Sequence, residues 1–330
     1  MLVVGIDVGK AELFVCLRSA SGNQASRFAN TAAGHRKLLT WLKKSGTDPS
    51  GTQAVMESTS VYWELLAVTL FESGFKVSVV NPAKIKFFAR SLLRRGKTDT
   101  LDADLIAQYG STMRPACWTP PPNELLELRA LVRDREVIVN LITLEKGRRH
   151  AMEHQAHQNS TTKKWSDARL ALLEKQLEAA NQAIEQTVRK SALLKPQVKL
   201  LNTVPGIGTL TASILLCETM NLGELEHADQ WSTYAGLSPT PRQSGNYKGK
   251  TRISKIGNPR LRRAFFLSAL TCSRLHNPFG AFFRHLVAEG KPKKVALIAL
   301  ARKIIRLCFA VLKSGRRYEA SYQRAMPCPA

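Results

Sequence analysis

Acidic residues are scarce in this chain. It carries 25 Asp and Glu against 49 Lys and Arg in 330 residues, a formal net charge of +24. That excess goes well beyond what solubility needs and implies a polyanionic partner, nucleic acid or an acidic membrane surface. Cysteine is sparse too. The six thiols (Cys16, Cys117, Cys217, Cys272, Cys308, Cys328) lie far apart with no CxxC pair, which argues against a zinc site and a disulfide framework. Long uninterrupted apolar runs are missing. The longest, Val295 to Leu312, is broken by Arg302, Lys303 and Arg306, so it is expected as a buried helix and no membrane partner is expected. The N-terminus enters a strand without a signal-peptide pattern, and with unpaired thiols this gives a cytoplasmic expectation.

What is present is an alternation of strand and helix patterns over the first 115 residues. Short apolar strands are expected at Leu2–Asp7, Glu12–Leu17, Gln24–Phe28, Gln53–Glu57 and Lys76–Val80, and helices at Gly34–Lys44, Val61–Ser73, Ala83–Leu93 and Leu101–Thr112. An opening hairpin followed by strand–helix alternation is the order of an α/β RNase H-like domain. The proline run Pro120–Pro122 marks a boundary. Beyond it, Leu125, Leu128, Leu131, Val132, Ile138 and Ile142 recur at helical spacing, and Leu170, Leu173, Leu177, Ala180, Ile184 and Val188 repeat the pattern. Two long amphipathic helices are expected, as a coiled-coil hairpin, a dimerisation arm or part of an intramolecular bundle. The expected division is 1–118, 119–195 as a helical linker, and 196–330 as a mainly α domain without a strong strand signal.

Four of the few carboxylates stand where an RNase H-like fold would converge them. Asp7 closes the first strand and Glu57 the fourth, while Asp99 and Asp102 lie three apart on one helix face. Like charges held close raise one another's pKa, a penalty that a divalent cation removes. Hard oxygen donors suit Mg²⁺ or Mn²⁺, and two such ions can serve the attacking and leaving oxygens of a phosphodiester. Taken singly, each acid has an ordinary reading as a turn, cap or first-turn residue. Asp104 is left out because its spacing from Asp99 turns it elsewhere. The Asp-x-Gly at Asp7–Gly9 also occurs in actin-like sugar kinases, but no second glycine-rich phosphate loop is found.

The last third is lopsided in charge. From Arg242 to Arg317 there are nineteen Lys or Arg and one acid, Glu289, a bias that points to phosphate contact. Lys248, Lys250, Arg252, Lys255, Arg260, Arg262 and Arg263 are the candidate nucleic-acid contacts. Val204-Pro205-Gly206-Ile207-Gly208 before an apolar helix resembles a helix-hairpin-helix turn, or is an ordinary connection. Gln243–Lys250 is expected as a basic loop, in which a serine beside glycine, Ser244, can approach a phosphate.

Together these motifs resemble the bridge-RNA-guided transposases of insertion-sequence family 110, the DEDD recombinases that include the Piv invertases. The resemblance runs almost end to end. It rests on Gly5-Ile6-Asp7, Glu57-Ser58-Thr59, Lys97-Thr98-Asp99-Thr100-Leu101-Asp102-Ala103, Pro205–Gly208, Tyr234-Ala235-Gly236-Leu237 and Ser244-Gly245, in the family's order. It implies a RuvC-like domain, a coiled-coil linker and a C-terminal transposase domain in a bacterial or archaeal protein working on DNA. It also implies Asp7, Glu57, Asp99 and Asp102 as metal-binding acids, Ser244 as the serine that joins DNA, and a structured guide RNA. A homo-oligomer, dimer or tetramer, is expected through the long helices. The alternatives are a RuvC-like structure-selective nuclease in which Ser244 is idle, and a binding protein without chemistry.

Overall fold

The computed structural model describes residues 2–19, 22–93, 99–157, 159–220, 226–244, 247–254 and 256–320. For 99–101, 241–244 and 247–252 it describes the backbone alone. The chain forms two compact units, Met1–Pro120 and Pro121–Ala330.

The first unit is built on a mixed five-stranded sheet. β1 (Leu2–Val8), β2 (Glu12–Ser19) and β3 (Gly22–Ala29) form an antiparallel meander, and β4 (Thr52–Glu57) and β5 (Lys76–Val80) add in parallel on the other side of β1. The order is β3-β2-β1-β4-β5, the hairpin-first arrangement that the sequence pattern predicts. β1 is central and covered on both faces, which is why it reads as a nearly continuous apolar run. On one face Val4, Ile6 and Val8 pack with Leu38 and Leu42 of α1 (Ala32–Lys44) and Leu66 and Leu70 of α2 (Glu64–Glu72). On the other, Val3 joins Ile85 of α3 (Pro82–Ser91) and Leu105, Ile106 and Tyr109 of α4 (Asp99–Met113).

α2 starts later than the hydrophobic spacing suggests. Ser60 adopts φ 56°, and its carbonyl accepts the Trp63 indole N–H at 3.1 Å, so the chain turns before the helix begins. Helix starts elsewhere are written in the sequence. Asn81-Pro82, Asn258-Pro259 and Asn277-Pro278 each place an amide side chain on the first free N–H groups and a proline at the first helical position.

The second unit opens with α5 (Asn123–Glu153) and α6 (Ser160–Lys190), each of 31 residues. They run antiparallel against each other, with Arg149 on Asp167 at 3.0 Å near one end and Arg135 on Asn181 at 2.6 Å nearer the other. Leu128, Val132, Ile184 and Val188 at their base belong to the same apolar core as the helices that follow, whereas Ile138, Ile142 and Leu170 form a separate seam farther out. Those helices are α7 (Leu194–Leu201), α8 (Thr209–Thr219), α9 (Ala228–Tyr234), α10 (Pro259–Ser273), α11 (Pro278–Ala288) and α12 (Lys293–Ser314). α12 takes the interrupted apolar run and is buried along one face, while Arg302 and Arg306 both meet Asp229 at 3.4 Å. Among the described residues no helix is long and apolar enough to cross a membrane.

The expected basic loop at Gln243–Lys250 is corrected. β6 (Pro239–Ser244) and β7 (Tyr247–Ile253) pair antiparallel, with Ser244 opposite Tyr247 and an irregularity between Thr240 and Arg242. Tyr247, Thr251 and Ile253 are residue types that favour strand.

Candidate functional site

Asp7 and Glu57 fall one step past the parallel pair Ile6–Met56, so they stand side by side at the C-terminal ends of neighbouring strands. Strand side chains alternate between faces. Asp7 therefore shares the face of Val3 and Gly5, and Glu57 that of Val55. Both carboxylates are half-buried. The Glu57 carboxylate accepts the Thr59 hydroxyl at 2.7 Å, and the loop behind it is tied to β5 where the Ser58 N–H meets Val80 O at 2.9 Å.

That face of the sheet is covered by α4, and glycine permits the approach. A Cβ on Gly5 would lie 2.3 Å from both Ala103 O and Ala107 N, and one on Gly110 would lie 2.7 Å from Val3 and Val55 side chains. Gly5 thus faces the first half of α4 and Val3 its later part, so the helix runs antiparallel to β1. Its N-terminal end, with Asp99 and Asp102, points toward the strand ends that carry Asp7 and Glu57. Asp102 is half-buried, and the Asp99 side chain lies outside the described residues. Asp104 turns away, as its spacing predicts. Its Oδ1 accepts Asn23 Nδ2 at 2.9 Å and lies 3.5 Å from Arg18.

The donor chemistry is carboxylate oxygen, the set that Mg²⁺ and Mn²⁺ take. Among the described residues no three His, Cys, Asp or Glu side chains are gathered closely enough to enclose a metal.

Ser244 ends β6; its side chain and those of Lys248, Lys250 and Arg252 lie outside the described residues, as does Lys255 entirely. The base of the hairpin is anchored. The Ser254 N–H donates to Ser238 O at 3.1 Å, and the Ser238 hydroxyl is 3.0 Å from that of Thr233. Beside it lies a buried charge network that the sequence did not reveal. Glu218, with its side chain 4% exposed, takes Arg133 at 3.2 Å and Asn258 Nδ2 at 2.7 Å. Arg260, expected to contact nucleic acid, instead pairs with Glu136 at 2.6 Å, with Arg263 at 3.9 Å from the same carboxylate. Arg262 donates to Ala235 O at 3.3 Å. These three arginines are at least partly committed to internal contacts.

The Pro205–Gly208 turn joins α7 to α8. Gly206, at φ 80°, lies against α10, where a Cβ would be 2.3 Å from Cys272 Sγ. Close helix packing accounts for this glycine without a ligand.

A chain with this acidic sheet edge and a separate basic helical unit matches two transposase family models. One, the DEDD transposase of IS110 type, covers residues 4–158, and the other, the transposase IS116/IS110/IS902 family, covers residues 198–284. The pilin gene-inverting protein of Moraxella bovis is 31% identical over 320 residues, spanning 96% of this chain and 97% of that protein. The transposase for insertion sequence element IS1328 of Yersinia enterocolitica is 22% identical and spans 95% of this chain and 97% of its own length. Among solved structures, T. thermophilus RuvC in complex with a Holliday junction substrate aligns at a TM-score of 0.27 and 18% identity, covering 36% of this chain and 98% of that one. The protein is a transposase or recombinase, an enzyme that acts on DNA. It belongs to the IS110 family of insertion-sequence transposases.

Proposed function

We propose that this enzyme cleaves and rejoins DNA strands in a Mg²⁺- or Mn²⁺-dependent reaction with Ser244 as nucleophile, directed by a structured guide RNA. The observation that carries the metal-dependent reading is the placement of Asp7 and Glu57 in register on one sheet face, with the N-terminal end of α4 directed toward them. Asp7, Glu57, Asp99 and Asp102 would hold the ion, which would supply Lewis-acid stabilisation of the phosphodiester oxygens. The Ser244 hydroxyl gives up its proton and forms a bond to phosphorus as the strand's own P–O bond breaks, releasing a DNA hydroxyl. Attack by another DNA hydroxyl on the phosphoserine reverses these changes, so rejoining needs no external energy source.

The guide RNA follows from the family resemblance, and the nineteen Lys and Arg between Arg242 and Arg317 provide charge for a polyanion. A homo-oligomer, dimer or tetramer, is supported by apolar side chains left exposed on the long helices, among them Leu144 at 70% and Trp165 at 59%. A RuvC-like arrangement of the first unit is part of the same proposal.

The test incubates the purified protein with its flanking non-coding RNA, donor DNA, target DNA and Mg²⁺, and looks for covalent protein–DNA adducts on a denaturing gel. An adduct lost in Ser244→Ala, in Asp7→Ala, and without RNA or metal supports the proposal. Cleavage that survives Ser244→Ala without any adduct overturns the serine step and favours a structure-selective nuclease.

A further inference from the structure

The loops that leave the two acidic strand ends are joined by one side chain. Asn30, in the connection from β3 to α1, donates from Nδ2 to Gly9 O at 2.9 Å and to Tyr62 O at 3.1 Å. Gly9 lies just beyond Asp7, and Tyr62 lies in the loop that follows Glu57. Both amide hydrogens of Asn30 are thereby used, so its Oδ1 must accept. It meets His35 Nε2 at 2.8 Å. The donor count fixes the amide orientation and sets His35 as the Nε2–H tautomer.

His35 is 1% exposed, and its Nδ1 is buried without a partner among the described protein atoms. A buried polar atom left unsatisfied is costly, yet this one is retained beneath Asn30. The backbone is fitted to the arrangement as well. Thr31 caps α1 by accepting the Gly34 N–H at 3.2 Å, and a Cβ on Gly34 would sit 1.9 Å from Ala29 O. Glycine at 34 therefore lets α1 start close against β3, which brings His35 under Asn30. The Asn30 N–H also donates to Ala11 O at 2.8 Å, tying the residue to the turn between β1 and β2.

We propose that Asn30, held by His35, is a positioning residue that sets the spacing of Asp7 and Glu57 by bridging the loops behind them. The inference rests on Asp7 and Glu57 being metal ligands. Neither Asn30 nor His35 touches the metal or the DNA in this scheme. The β1–β4 register ends at Ile6–Met56, and beyond it Asp7 is laddered to Phe14 and Glu57 to Val80, on the outer sides, so the ladder does not hold these two strand ends directly against each other. The Asn30 bridge supplies that restraint across the gap between Gly9 and Tyr62.

The experiment follows the free Mn²⁺ signal by electron paramagnetic resonance during titration of the full chain, without nucleic acid. Asp7→Asn, Asn30→Asp, His35→Leu and His35→Gln are compared with wild type, and thermal melting identifies folded variants. Asn30→Asp keeps the shape and removes both donors. It is expected to weaken Mn²⁺ binding about tenfold in a folded protein. His35→Leu is expected to weaken binding by a smaller factor, and His35→Gln, whose amide can donate to Asn30, to restore it. If Asn30→Asp does not fold, the His35→Leu and His35→Gln pair decides. Wild-type Mn²⁺ affinity in folded Asn30→Asp or His35→Leu, alongside loss of binding in Asp7→Asn, overturns the positioning role alone. Unchanged binding in Asp7→Asn overturns the acidic-site reading beneath it.

Discussion

Gly5 and Ala107 approach so closely that a Cβ on Gly5 would lie 2.3 Å from the Ala107 amide nitrogen. The atoms in the way belong to a helix backbone, which cannot rotate aside as a side chain can. Gly5→Val should therefore push α4 off β1 and destabilise the first unit by about 1–3 kcal/mol or more, the range for overpacking a filled core. Urea unfolding followed by fluorescence would measure it. Wild-type stability in this variant would mean that α4 does not lie where it is described.

Glu218 is the buried carboxylate on which Arg133 and Asn258 converge. Glu218→Ala leaves Asn258 and the inner face of Arg133 without their acceptor. A loss of about 1–3 kcal/mol is expected, the cost of orphaning buried donors. Glu218→Gln, which keeps an acceptor oxygen, should lose less. Because Asn258 also caps α10 and its N–H meets Tyr234 O at 2.6 Å, amide exchange should rise at the start of α10. Hydrogen exchange on both variants would decide this.

Arg169 donates to Glu145 at 2.7 Å across the α5–α6 hairpin and, as the largest cause, brings its pKa down from 4.5 to about 2. A folded-state pKa below the unfolded value adds stability above the unfolded value and withdraws it as pH falls through the folded one. Glu145→Gln should thus melt at a lower temperature than wild type at pH 7. The difference should shrink between about pH 4.5 and pH 2. Melting curves at half-unit pH steps would test it, and a pH-independent difference would assign the effect to packing.

Much of the first unit is legible in the sequence because its core is sorted by period. β1, β4 and β5 read as compact apolar runs, and Leu38 and Leu42 are spaced for a helix face. Asp7 and Glu57 are legible because each sits at the end of such a run, and Asp99 and Asp102 because they lie three apart on one helix face. The β6–β7 hairpin was missed for a physical reason. A two-stranded ribbon rich in Lys, Arg, Gly and Ser has few apolar residues in its sequence, so it prints no alternation of apolar and polar residues. The Gly245-Asn246 dipeptide and the strand-favouring Tyr247, Thr251 and Ile253 are the sequence signals for it. Asn30 was equally silent. Its partners Gly9 and Tyr62 contribute backbone carbonyls, which any residue supplies, so no residue type at either position betrays the bridge. The arginines at 260, 262 and 263 showed the converse problem, since sequence records their charge but not that Glu136 and Ala235 O already engage them.

The central position of β1 carries a consequence for biosynthesis. β1 is made before β2, β4 and α4, and β2 can pair with it at once as a local hairpin. Its other edge waits for β4, where Leu2 meets Thr52, and the Gly5 face waits longer still for α4, which ends at Met113. Pairings between distant segments form slowly because the chain must first be closed over the intervening length. The nascent first unit thus passes through a stage with an unpaired apolar edge and one bare face, the kind of species that aggregates or recruits chaperones. The sheet face that carries Asp7 and Glu57 is covered by α4 only once residues 99–113 are made, so a chain stalled before residue 99 would carry both strand-end acids with no helix above them.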